Sequence, residues 1–281
     1  MRWLLTTDID DFLARTDDFL RSRPALHTTQ LSVAEKLRTR GADAFGGRPL
    51  LGRLEHAGEV HAVCYRLPTS GLGVTALTPD QADALAADLH ALGHALPYVS
   101  AEHATATAFA QAWQRRTGAT PSVRVRLHLY RLGTLTPPDP SPAGRARPVG
   151  GQDHDHLLGW CRDLAADLGE NVTITADTWP TTRFAEKTYT YWETHDGVPV
   201  SMAGLNPMVA GQVRVDPVYT PARHRRRGYA AAITAEVSRA ALTAGATDVV
   251  LYTNAANPTS NALYRRIGYR PIADIDVCDF T

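Results

Sequence analysis

The sequence predicts an α/β protein of two similar halves, and three observations carry that expectation. A proline-rich stretch over 136–148 breaks the chain near its middle. After it, runs of strand character alternate with runs of helical periodicity in a clear β-α-β-α order. The first half repeats that order in weaker form, which suggests an internal duplication.

The first half is expected to hold strands over 61–67 and 73–77. A helix should follow Thr78-Pro79-Asp80-Gln81, which reads as a capping box with proline in the first helical position. A strand over 98–100, a helix over 104–115 and the alternating strand 123–130 complete it. The prolines of 136–148 lack backbone donors and force extended geometry on the residues before them, so this stretch reads as a linker. It separates a domain over 1–135 from one over 149–281.

In the second half, 153–169 puts Leu157, Trp160, Cys161, Leu164 and Leu168 on one helical face. Strands over 187–192 and 199–205 flank an Asp196-Gly197 hairpin turn. A strand over 212–220, a helix over 228–244, a buried strand over 248–253 and a short helix over 259–267 follow. The core face of the 228–244 helix is read as Ile233, Val237, Ala240, Ala241 and Ala244.

Composition excludes several classes of function. Lys plus Arg and Asp plus Glu both number 29, so no global field draws the chain to nucleic acid or an anionic membrane. Met1 to Phe12 reach Asp8, Asp10 and Asp11 after a short apolar patch, which makes no secretory signal, and no stretch is long and apolar enough to span a bilayer. Cys64, Cys161 and Cys278 are odd in number and widely spaced, which argues against a disulfide framework and a zinc cluster and fits a reducing cytoplasm. Asp153, His154, Asp155 and His156 could suggest a metal, but such residues at a helix start read better as capping, and no metal is expected.

The segment that carries chemistry is Val215-Asp-Pro-Val-Tyr-Thr-Pro-Ala-Arg-His-Arg-Arg-Arg-Gly-Tyr-Ala230. A strand ends, a basic glycine loop follows, and a helix begins. Unpaired N–H groups at a helix start carry the positive end of its dipole and suit a phosphate or diphosphate. Gly228 and Ala230 keep bulk away, and Arg223, Arg225, Arg226 and Arg227 can make forked hydrogen bonds to phosphate. GxxxxGK[ST] and GxGxxG are both absent, which disfavours P-loop and dinucleotide sites.

Arg225-x-x-Gly228-x-Ala230 resembles the R/Q-x-x-G-x-G/A loop of the Gcn5-related N-acetyltransferases (GNAT). The context strengthens the resemblance: the strand Val249-Val-Leu-Tyr-Thr253 is followed by Asn254-Ala-Ala-Asn-Pro-Thr-Ser-Asn-Ala-Leu-Tyr264 and Arg265-Arg-Ile-Gly-Tyr-Arg-Pro271. It covers about 147–280, most specifically 218–271; the first half matches in topology alone. It implies two tandem GNAT-like α/β domains, each a mixed, mostly antiparallel sheet flanked by helices. It also implies a splayed pair of parallel strands forming a CoA cleft in the second. By that resemblance acetyl-CoA or another acyl-CoA is the donor. Val218, Tyr219 and Thr220 would meet the pantetheine arm. Arg225, Arg226, Arg227, Gly228, Tyr229 and Ala230 would meet the diphosphate, and Asn254, Asn257 and Asn261 would help hold the cofactor.

The chemistry implied is attack of a primary amine of a small molecule on a thioester, which needs a base, an oxyanion-stabilising N–H and an acid at the leaving sulfur. By similarity Tyr264 is the acid; otherwise it is an aromatic packing beside Leu263. Asn257 holds the cofactor arm or caps the next helix. Asp216 and Glu170 are candidates for the base by position. Tyr189, Tyr191, Trp192, Trp160 and Trp179 either line an acceptor pocket or form core. Two other readings stand beside this one: an acyl-CoA-binding regulatory module without catalysis, and an aminoacyltransferase of the same fold fed by charged tRNA. A monomer or homodimer is expected, with no membrane partner and nucleic acid only under the tRNA reading. In the first half Pro79 offers no N–H and Asp80 would repel phosphate, so that half is expected to bind no CoA.

Overall fold

The computed structural model describes residues 1–68 and 70–281, and every side chain among them but that of Ala44. In chain order the elements are β1 (Arg2–Thr6), α1 (Ile9–Arg21), α2 (Thr28–Arg40), β2 (Leu50–His56), β3 (Glu59–Arg66), β4 (Leu72–Val74), α3 (Pro79–Ala91), β5 (Tyr98–Glu102), α4 (His103–Thr117), β6 (Pro121–Leu132), β7 (Arg145–Pro148), α5 (His154–Asp167), β8 (Thr188–Glu193), β9 (Pro199–Leu205), β10 (Gln212–Tyr219), α6 (Tyr229–Thr243), β11 (Asp248–Asn254), α7 (Pro258–Arg266) and β12 (Tyr269–Phe280). The chain divides into two compact units, one of Met1–Tyr130, Tyr252–Pro258 and Pro271–Thr281, the other of Arg131–Leu251 and Thr259–Arg270.

The first unit orders its strands β1-β2-β3-β4-β5-β12-β6. β1 to β4 pair antiparallel, and β5 then joins β4 in parallel. The last strand of the chain enters this sheet, with Ile275 to Asp279 running antiparallel to Tyr98–Glu102. Phe109 and Trp113 of α4, Leu85 and Leu89 of α3, and Val99 of β5 form the core under it. β4 is shorter than the alternation of 73–77 suggests, because the Thr75 hydroxyl accepts from Val63 N at 2.9 Å. The ladder with β3 thus ends on a side chain.

The second unit orders its strands β11-β10-β9-β8-β7, again antiparallel until the last step, where β10 and β11 run parallel. Apart from α2, which has no α-helical counterpart between β7 and β8, the two units share their element order and the same change of pairing, and this makes the internal duplication visible in backbone alone. Its core gathers Leu157, Trp160, Cys161 and Leu164 from α5 with Phe184, Tyr191, Met202 and Tyr219. Leu168 departs from that face: it caps α5 and lies 58% exposed, since the helix stops at Asp167. On α6, Ala240 and Ala244 face solvent, and the buried stripe runs through Ile233, Thr234, Val237, Ser238 and Ala241. Ser238 is accommodated because its hydroxyl meets Thr234 O and the Tyr269 hydroxyl, both at 2.6 Å.

Candidate functional site

The second unit brings most of the predicted site residues to one end of β10. The parallel ladder with β11 spans only Gln212↔Asp248, Val213↔Val249 and Arg214↔Val250. On its other side β10 follows β9 with a shift of register between Val215↔Leu205 and Val218↔Ala203. This bulge contains Asp216 and Pro217; proline brings no N–H to the ladder, and the extra residue bends the strand. Gly204 faces it on β9, where an added Cβ would stand 2.7 Å from Asp216 O, so only glycine lets the strands approach so closely. Val218 and Tyr219 continue past the bulge, paired to β9 alone. Ser201 fixes their exit, its hydroxyl meeting Tyr219 O at 3.0 Å and the Thr220 hydroxyl at 2.8 Å.

From Thr220 the chain turns into the basic loop. Gly228 occupies the N-cap of α6 at φ +83°, a left-handed conformation that favours glycine, and Arg226 also has positive φ, at +62°. No side chain among the described residues caps α6; Ala231 N donates to Gly228 O at 3.1 Å, which leaves the N–H groups of Tyr229 and Ala230 for a ligand or solvent. α3, its counterpart in the first unit, has both halves of a capping box made: Thr78 N donates to Gln81 Oε1 at 2.9 Å and Gln81 N to Thr78 Oγ1 at 3.3 Å.

The arginines divide the work. Arg225 donates from Nε to Thr220 O at 2.9 Å and from Nη2 to Asp167 at 2.6 Å, so it pins the loop to the end of α5. Arg226 and Arg227 stay exposed beside the bare helix end. His224 lies between; desolvation, then Arg223 and Arg227, holds its pKa below the usual imidazole value. The proline-rich stretch borders the same loop. Thr136 N donates to Ile267 O at 3.0 Å at one end, and the Trp192 indole donates to Ala143 O at 3.2 Å at the other. Between these anchors Pro142 comes 3.8 Å from the position a Gly228 Cβ would take.

Behind the bulge, Asp216 is ion-paired through one oxygen to Lys187 and through the other, at 3.4 Å, to Arg183. Arg183 also grips Glu170, at 2.7 and 3.0 Å. Burial would raise the Asp216 pKa, but Lys187, Arg183 and Arg214 outweigh it and hold the carboxyl below its usual value. Burial dominates at Lys187 and pulls its ammonium below the usual lysine value in spite of Asp216. Sequence reading missed Lys187 and Arg183; both precede a strand with no local signal of their partners. Tyr264, on α7, is 9% exposed and meets Tyr269 edge-on at 6.1 Å between ring centres. Burial first, then the charge of Asp216, pushes its phenol well above the usual range, so it stays protonated. Asn261, one turn earlier, is buried as well.

Asn254 and Asn257 belong to the first unit, where Asn254 Oδ1 accepts from Ala256 N and Asn254 O from Asn257 N, each at 2.9 Å. Trp160, Tyr189 and Tyr191 are core: Trp160 meets Tyr191 at 5.2 Å, and the Tyr189 hydroxyl donates to Phe184 O at 2.7 Å. Asp153 is held by Arg147 at 2.7 Å and by Gly150 N at 2.8 Å. No group of three or more His, Cys, Asp or Glu side chains placed to hold a metal occurs among the described residues.

The fold has known counterparts. Residues 211–277 match the FR47-like protein family. A structure described as a GCN5-related N-acetyltransferase from Sphaerobacter thermophilus is 19% identical and superposes with a TM-score of 0.64 over 99% of this chain and 96% of its own. A tandem GNAT protein from the clavulanic acid biosynthesis pathway aligns over 100% of this chain and 98% of its own, at 12% identity and a TM-score of 0.58. This is the tandem GNAT fold. A GCN5-related N-acetyltransferase from Kribbella flavida, 22% identical, aligns with a TM-score of 0.52 over 78% of this chain and 86% of its own. No curated protein matches the sequence. The match to the FR47-like family spans the bulged strand, the basic loop and α7, the segment of the GNAT fold on which the chemistry argued above rests. Among the described residues no helix is long and apolar enough to cross a membrane.

Proposed function

We propose that the protein is an acyl-CoA-dependent N-acyltransferase working in its second unit, and that it acylates a primary amine of a small molecule by direct attack. The observation that carries this reading is the uncapped start of α6, reached from the bulged end of β10 and flanked by Arg226 and Arg227. Those N–H groups and guanidinium groups fit a diphosphate. Val218 to Thr220 offer backbone groups to the amides of the pantetheine arm, as an added strand would. When bound, the donor supplies a thioester carbonyl open to a nucleophile.

The residues of this chain bind, orient and move protons. Arg225 holds the loop in shape through Asp167 and Thr220. Tyr264, protonated throughout the neutral range, donates its proton to the departing sulfur. Asp216 is ionised but doubly ion-paired, which makes it a weak base. It serves best through a water that it holds, which takes the amine proton while passing one of its own to the carboxylate. Glu170 steadies Arg183 and stands one residue removed from that step. Asn261 supports α7, and Tyr229 and Ala230 complete the diphosphate cradle.

Single-turnover assays with acetyl-CoA and a panel of small amines test the reading: acyl transfer lost in Tyr264→Phe supports it, and no transfer to any amine contradicts it. The ion pairing of both carboxylates favours one other reading, a donor-binding module without catalysis. Tight donor binding with no transfer would select that reading.

A further inference from the structure

The first unit holds a cavity that acyl transfer in the second leaves unused. It opens where the ladder of β4 and β5, made of Leu72↔Val99 and Gly73↔Ser100, comes to an end. Glu102 and Thr75 line its strand side, His27, Thr29 and Gln30 its α2 side, and Tyr252 completes it. The volume is about 40 Å³, room for a group of a few heavy atoms. Thr29, Gln30, Glu102 and Tyr252 are half-buried, so the cavity communicates with the surface.

Its walls offer acceptors. Gln30 Oε1 is buried and has no hydrogen-bond partner among the described residues, an arrangement that costs stability until something donates to it. His27 Nδ1 lies 3.0 Å from Leu20 O and carries the proton of that bond. Burial, the largest cause, lowers the His27 pKa, so its Nε2 stays an acceptor at neutral pH. Thr29 and Tyr252 join their hydroxyls at 3.0 Å. Glu102 forms no ion pair among the described residues, and its cationic neighbours are spent elsewhere: His103 and Arg126 both bind Asp276, at 2.7 and 2.6 Å. One opposing field is the start of α2 at Thr28, worth about half a positive charge. The full negative charge of Glu102 outweighs it, and an anion would meet both Glu102 and the bare Gln30 oxygen.

We infer that this cavity binds the primary ammonium group of a small organic amine, with N–H donated to Gln30 Oε1, to the Glu102 carboxylate and to the Thr29–Tyr252 hydroxyl pair. The inference is independent of acyl transfer and stands if no donor binds the second unit. The test titrates n-propylammonium chloride into the full-length protein, followed by calorimetry and ligand-observed NMR. 1-Propanol and tetramethylammonium chloride serve as probes lacking the charge and the N–H groups. Saturable binding of propylammonium alone, weakened tenfold or more in Glu102→Gln and in Gln30→Leu while acetyl-CoA titrations stay unchanged, is the expected result. Glu102→Gln keeps size and shape, so it carries the test if Gln30→Leu unfolds. Absence of propylammonium binding, equal binding of tetramethylammonium, or affinity unchanged in Glu102→Gln would overturn the inference.

Discussion

Asp216 holds Lys187 on one carboxylate oxygen and Arg183 on the other, so the bulge of β10 is braced from the loop that precedes β8. Lys187 is 6% exposed there. Replacing it with Met strands the carboxylate beside Arg183 alone, and removing one member of such a pair costs about 3 kcal/mol. Urea unfolding of Lys187→Met should show that loss, and Lys187→Met with Asp216→Asn should recover more than half of it. A loss under about 0.5 kcal/mol, the worth of a surface pair, would mean that solvent screens the contact.

Tyr264→Phe removes one hydroxyl from a buried ring and leaves the packing against Tyr269 in place. If the phenol protonates the leaving group, turnover falls about 10²-fold to 10⁴-fold while donor affinity holds within about twofold. Stopped-flow measurement of single turnover separates the two quantities. Equal losses in both would assign Tyr264 to binding.

The proline stretch passes Gly228 with Pro142 at 3.8 Å from the Cβ position and is tied down at Thr136 and Ala143. A strap held at both ends preorganises the loop it borders. Exchanging 137–142 for glycine and serine at equal length should raise the dissociation rate of acetyl-CoA about tenfold, read by competitive displacement, and lower the melting temperature, because four prolines no longer restrict the unfolded chain. An unchanged rate would make the stretch a connector only.

Asp153, braced by Arg147 and Gly150 N, has its pKa drawn from the usual 3.8 down to about 2. A carboxyl whose folded pKa lies below its unfolded one contributes stability that is complete above the unfolded value and lost as pH falls through the folded one. Melting temperature should therefore fall between pH 4 and pH 2, and Asp153→Asn should flatten part of that slope while lowering the plateau at neutral pH. A slope identical in the variant would assign the acid transition to other carboxylates.

What the sequence reveals here is what is local. The capping box at Thr78 and Gln81, the turn at Asp196-Gly197 and the glycine at the start of α6 each lie within a few residues of the partners that need them. Pairings across the chain leave no such trace. Arg225 reads as a phosphate ligand until Asp167, 58 residues earlier, is found beside it. Lys187 and Arg183 acquire meaning only once β10 bends Asp216 toward them. α2 escapes notice because its apolar positions are sparse: it buries only Thr28, Leu31, Ala34 and Leu37 among polar residues. Arg145–Pro148, at the end of the proline stretch, form β7 because pairing with β8 satisfies groups that composition alone assigns to solvent. The placement of β12 beside β5 is likewise set by the sheet and not by any motif.

The central claim is that the bare end of α6 is the donor site, and calorimetric titration of acetyl-CoA into the full-length protein tests it most directly. The account predicts saturable binding at one site, abolished in Arg225→Ala with Gly228→Asp, which frees the loop and sets a carboxylate on the helix end, and retained in Thr78→Ala, which opens α3 instead. Binding that survives the double change, or none in the unaltered protein, would contradict it.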